Sequence, residues 1–210
     1  MTDITLHVIT PATTVAFLTL DEAKLLLGIA LTDTTEDALV QMLIDNSSAT
    51  IMRVCNRVFA KETLSESWRD LGGRRLFLTH WPVNAADITS VVANGTTLDP
   101  ATDYELEELS GKVSNFNGWD EPVVVTYTGG YDLPAEAPLP LKQATLMLVR
   151  EHKTEVMRQS MQGVRSISHK DSRVMFYDIS KPLTQAGVLS LGTGSPTVDA
   201  LLTHYMRFWV

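Results

Sequence analysis

Cysteine is nearly missing from this sequence of 210 residues: Cys55 is the only one. No internal disulfide can form, and a lone thiol suits a reducing compartment. It sits in Ile51-Met52-Arg53-Val54-Cys55, a run of helical character where a small buried apolar residue is expected rather than a nucleophile. Histidine is scattered: His7, His80, His152, His169 and His204 never fall three or four residues apart, so the spacing of a helical zinc site is lacking. There is no Gly-x-Ser-x-Gly elbow, Walker loop or dinucleotide fingerprint, and Gly72-Gly73 and Gly129-Gly130 are too short to cradle phosphates. No uncharged stretch reaches the roughly 18 residues that a membrane span requires. The opening Met-Thr-Asp-Ile-Thr-Leu-His shows neither a basic leader nor an apolar segment. The expectation is a non-enzymatic chain that folds in the cytosol of the cell making it, with no cofactor, metal, membrane or small-molecule substrate.

What is present is ordinary globular material, 44% hydrophobic and 20% charged, enough to bury a core. The net charge of -8 is unevenly spread. Residues 1–141 hold 8 basic and 20 acidic side chains, a net -12, whereas residues 142–173 hold 7 and 3, a net +4. An acidic body argues against general nucleic-acid binding, which wants a basic face. It permits charge pairing between neighbouring copies.

Along the chain, residues 1–18 alternate small apolar and polar groups and read as an extended arm. Thr19 with Glu22 is a capping box that opens a short helix, and Gly28 can close it. A second helix is expected from near Thr34, with Leu39, Leu43, Ile44, Ile51, Val54 and Val58 on its buried stripe. Its small polar stretch Asn46-Ser47-Ser48-Ala49 reads either as a site of close approach for a neighbouring helix or subunit or as a solvated turn.

Residues 59–132 turn to β character. The short runs Leu76–Leu78, Ile88–Val92, Tyr104–Leu106 and Val123–Tyr127 are separated by turn residues, and Asn94-Gly95 is a type I′ hairpin signal. A third helix is expected over 138–157, then a long polar stretch over 158–194. Finally Ser195 as cap and Pro196 as first helical residue open an amphipathic helix over 195–210. Val198, Leu201, Leu202, Tyr205, Phe208 and Trp209 lie on one of its faces. The fold expected is α+β: a helical core of two N-terminal helices plus a third after the sheet, an inserted small antiparallel β domain, a long arm and the C-terminal helix.

Candidate sites are few. Glu105 and Glu107 share one face of a strand and read as a solvated edge, and Asp70, Arg74 and Arg75 read as a charged hairpin tip. The basic run Arg158, Arg165, Lys170 and Arg173 lacks the interleaved aromatics of a single-strand binder and is assigned to inter-subunit or channel charge contacts. The stripe from Val198 to Trp209 is assigned to docking on a partner groove, against the alternative that it packs on its own domain.

Several stretches, taken in order, resemble one family, the head–tail connector proteins of tailed bacteriophages, also called adaptor or head-completion proteins. They are Val8-Ile9-Thr10-Pro11, Leu18–Lys24, Glu36–Leu39, Cys55–Phe59, Leu76-Phe77-Leu78 with Trp81-Pro82-Val83, Val123–Tyr131 followed by Leu141–Ala144, and Val198–Tyr205. The resemblance covers nearly the whole chain; the stretch Met161–Leu191 is longer than in the shortest members. It implies a structural adaptor in the virion neck. Copies of the chain would form a ring, a dodecamer, beneath the portal protein, extend the channel through which genomic double-stranded DNA passes, and offer a surface to a downstream stopper or tail protein. The alternatives are another neck or tail part, of stopper or tail-tube type, and a small cytosolic enzyme.

Overall fold

A computed structural model describes residues 3–160, 166–169, 172–175 and 192–207, with side chains at 3–158 and 192–207. The N-terminal run expected as an arm is extended but not free. It forms strand β1 (Asp3–Thr10), antiparallel to β2 (Glu62–Arg69), in register from Asp3 opposite Arg69 to Val8 opposite Leu64. β2 escapes a hydropathy reading because five of its eight residues are Ser, Thr or Glu, one of them within the inward series Leu64, Glu66, Trp68. A buried carboxylate in the middle of that series makes a core strand look like a loop.

Helix α1 (Leu20–Leu27) starts as its sequence says. The Thr19 hydroxyl accepts from the Glu22 amide at 3.1 Å, and the Glu22 carboxylate accepts from the Thr19 amide at 2.9 Å. Gly28, at φ 74°, ends it. Helix α2 (Asp37–Cys55) begins three residues later than expected, since Asp33 holds the Thr35 amide and hydroxyl in a turn. Its buried stripe is Val40, Leu43, Ile44, Ser47, Ser48, Ile51 and Cys55. The small serines serve close approach within the chain: Ser48 Oγ accepts from the Phe17 amide at 3.3 Å, and Ser47 Oγ lies 3.5 Å from His152 Nδ1. His152 belongs to helix α3 (Leu139–Ser160), which packs along α2 through Leu141, Ala144 and Leu148. Lys24 of α1 is almost fully buried, its ammonium 2.7 Å from Asp37 and 3.1 Å from the Leu31 carbonyl.

The β part contains β3 (Arg75–Phe77), β4 (Ile88–Ala93), β5 (Thr96–Thr97), β6 (Tyr104–Glu107), β7 (Lys112–Asn115) and β8 (Val123–Gly129). Two antiparallel sheets result, ordered β1-β2-β8-β4-β5 and β3-β7-β6. They share one core of Leu64, Trp68, Leu76, Leu78, Val91, Tyr104, Val113, Val123, Val125 and Tyr127. The β4–β5 hairpin turns at Asn94 (φ 46°) and Gly95 (φ 79°), the two left-handed residues that a type I′ turn needs. At the junction with the helices, Gly130 (φ 108°) runs so close to Ala60 that a Cβ there would lie 2.4 Å from the Ala60 carbonyl oxygen. This contact brings β8 against the helical half, with Ala60 bridging to Tyr131. The fold is α+β.

Within the stretch 158–194, expected as a loop, β9 (Ser166–His169) and β10 (Ser172–Met175) form a hairpin that pairs with neither sheet. Helix α4 (Pro196–Leu202) is shorter than expected. The Thr203 hydroxyl bonds back to the Asp199 carbonyl at 3.1 Å, Thr203–Tyr205 tighten into a 3₁₀ turn, and Met206 is extended. No helix among the described residues is long and apolar enough to cross a membrane.

Candidate assembly interface

The apolar stripe of the C-terminal segment points largely inward. Val198 and Leu202 are fully buried in the helical core beside Ile51, Cys55, Leu141, Ala144 and Leu148. Leu201 and Tyr205 are half-buried against the same core, and the Tyr205 ring meets Phe59 edge-on with centroids 6.2 Å apart. Ser195 does not cap α4 with its side chain; its hydroxyl donates to Glu151 at 2.9 Å instead, while Thr193 donates to the buried Asp199 at 2.6 Å. The Arg207 amide donates to the Cys55 carbonyl at 2.9 Å. The stripe expected to face a partner is thus engaged, at Val198 and Leu202, by the chain's own core. An amphipathic helix needs a groove, and the one between α2 and α3 lies nearest. Phe208 and Trp209 lie outside the described residues.

Of the basic run, Arg158 is exposed near the end of α3, on an open cleft of about 800 Å³ with Arg150, Glu151, His152, Glu155 and Thr193. Arg173 stands on β10, and Arg165 and Lys170 lie outside the described residues. Open apolar surface is found elsewhere. Leu25, Leu26 and Leu139 are more than half exposed, the last two lining a groove of about 370 Å³ between α1 and α3 rimmed by the Glu22–Lys142 ion pair at 2.6 Å. Leu109, at the tip of the β6–β7 turn, is 83% exposed.

A buried polar seam lies where the helical and β halves meet, with little sign of it in the residue pattern. Glu66, fully buried, accepts from the Tyr127 hydroxyl at 2.5 Å, from the Thr79 amide at 3.1 Å and from the Thr79 hydroxyl. Burial pushes the Glu66 carboxyl up in pKa, opposed by those three donors, and burial likewise pushes up the Tyr127 phenol. His80 Nδ1 lies 3.0 Å from the Thr79 hydroxyl. Its Nε2 lies 3.3 Å from Glu62 without a hydrogen bond being formed, and burial holds the imidazole down at about 4, so it is neutral at pH 7. Arg57 stacks on the rings of Trp81 (3.6 Å) and Phe59 (4.5 Å) and donates to the Trp81 carbonyl; burial lowers it to about 10.

A hydroxyl, an imidazole and a carboxylate in contact invite comparison with a nucleophilic triad. Here the carboxylate takes the hydroxyl's bond, all three groups are buried, and none of them lines the clefts just described. The arrangement is a structural tie that binds β2 and β8 to the segment following β3. The one signal for it in the sequence is Arg57, a charge inside the apolar run Val54–Ala60. No group of three or more metal-ligating side chains occurs among the described residues.

A protein-family model described as "Head completion protein" matches residues 16–171. Among solved structures, a chain from the neck of an empty gene transfer agent (GTA) particle, computed with C6 symmetry, superposes with a TM-score of 0.59 at 16% identity, covering 98% of this chain and 97% of that one. A chain of the virion of the native GTA particle gives 0.57 at 17%, covering 98% and 96%. One from the neck of the native particle, computed with C12 symmetry, gives 0.51 at 15%, covering 98% and 97%. At such identities the likeness is one of fold. A search of curated proteins returned no match.

Proposed function

The chain belongs to the head completion protein family, with a structural role at a head–tail junction, and on that premise we propose that it is the adaptor ring of a tailed particle. Twelve copies assemble beneath the portal, extend the DNA channel, and present a surface to the next neck or tail component. The observation that carries the reading is likeness of fold over 98% of the chain to a neck protein of a particle whose neck was computed with C12 symmetry. The net charge of -12 over residues 1–141 fits a wall past which DNA slides without sticking. The work is binding, not turnover.

In this reading the portal is met by the end of the chain. The C-terminal segment is anchored up to Arg207 by the core and by the Cys55 carbonyl. Phe208 and Trp209 then supply the docking aromatics, joined by the half-buried Leu201 and Tyr205. The basic residues Arg158, Arg165, Lys170 and Arg173 reach the acidic body of the neighbouring copy. Mixing the purified chain with portal rings tests the proposal by electron-microscopy class averages. A twelve-fold layer added to one end of the portal is expected; bare portals beside a well-folded chain would sink it.

A further inference from the structure

Of the strand edges exposed in the two sheets, one is left undefended. β5, at the far edge of the large sheet, is two residues long, and β3, at one edge of the small sheet, is three. β6, the other small edge, alternates Glu105 and Glu107. Shortness and charge are the usual means by which a sheet edge avoids pairing with another chain. β1 has neither. It is eight residues long, contains no proline, lysine or arginine, and is bulged only between Val8 and Thr10. Among the described residues it pairs with β2 alone, so about half of its amide and carbonyl groups face away from the sheet. Leu6 and Ile9 are 41% and 51% exposed along it.

The hairpin β9–β10 presents the complementary problem. Its four-residue strands pair with each other and with neither sheet of their own chain. A two-stranded hairpin alone is marginal in water and needs a sheet to join. It lies in the segment of net +4, with Lys170 and Arg173, whereas β1 and β2 belong to the body of net -12. We infer that the β9–β10 hairpin of one copy adds to the free β1 edge of the next copy, extending that copy's five-stranded sheet across the subunit boundary. One patch then meets a different patch on its neighbour, a head-to-tail contact of the kind that closes into rings. The inference rests on the ring reading above and names the strands that join the copies.

Trans cross-linking tests it with the full-length chain. One tagged copy carries His7→Cys on β1; a second, differently tagged, carries a cysteine at Ser166, Ser168, Ser172 or Arg173. Cys55 is fully buried with its thiol pushed up to about 12, which keeps the background low. At least one pairing should give a disulfide joining the two tags. Rings that form while no pairing links in trans would overturn the strand addition and leave the ring reading standing. A chain that stays monomeric by light scattering, alone and with portal, would overturn both. Proline supplies the second arm. Successive amides of a strand face opposite sides, so of Leu6→Pro and His7→Pro one breaks the β1–β2 ladder and the other blocks only the open edge. The variant that keeps the parent melting curve should lose self-association at least tenfold; full assembly by that variant would refute the pairing.

Discussion

The two ends of the chain differ in what covers them. The N-terminal run reads as an extended arm, and it is a full-length edge strand whose outer backbone groups pair with no other described strand. The C-terminal helix reads as a docking element, yet Val198 and Leu202 are fully buried in the chain's own core. The contrast teaches which surfaces hydropathy detects. An apolar helix face announces that something must cover it, and intramolecular burial satisfies that need without the entropy cost of association. An open strand edge is a property of the backbone, and no side-chain pattern reports it.

The largest effect expected is at the buried end of that comparison. Leu202→Ala should cost about 2–5 kcal/mol, as large-to-small changes in a packed core do, read as a shift of the denaturant midpoint. A change under about 0.5 kcal/mol would mean the stripe is not core, and the comparison between the ends would fail.

The seam that joins the halves next to both ends titrates. His80 is depressed to about 4 in the folded chain from an ordinary 6.5. Its contribution is therefore fully present above about pH 6.5 and is lost as pH falls toward 4, on the order of 3 kcal/mol in all. Glu66, raised by burial, works the other way: above its ordinary range the fold loses stability as pH rises through the elevated value. Stability measured from pH 7 down to 4 should fall less steeply in His80→Gln than in the parent, and Glu66→Gln should flatten the opposing slope.

Removing Phe208–Val210 separates docking from folding. The Arg207–Cys55 bond is kept, so the truncated chain should melt within about 1 kcal/mol of the parent while portal binding drops at least thirtyfold, the cost of losing aromatic hot spots. Binding unchanged by pull-down would move the docking face elsewhere, with the Leu26–Leu139 groove the next surface to probe.

The smallest effect on stability is expected at Arg158, which is exposed on the last turns of α3. Arg158→Glu should change the melting midpoint by no more than about 0.5 kcal/mol. It should weaken ring assembly, which in the parent falls off above about 0.5 M salt as surface pairs are screened. Assembly indifferent to both changes would remove charge pairing from the inter-copy contact.

Features encoded within three or four residues were legible before any fold was known. The Thr19–Glu22 capping box, the Gly28 stop and the Asn94-Gly95 turn all stand where their residues place them, because each is a hydrogen bond or a backbone angle chosen locally. The three main helices and the α+β class followed from periodicity in the same way. Tertiary structure alone decided the rest. Glu66 is buried because Thr79 and Tyr127, 13 and 61 residues away, satisfy it, and so β2 is a core strand despite its polar composition. Val198 and Leu202 face inward because α2 and α3 leave a groove between them. β1 is an edge because no other described strand of its own chain takes the place beside it in the sheet. Local bonds are written in neighbouring residues, whereas burial and strand order depend on which distant surfaces arrive.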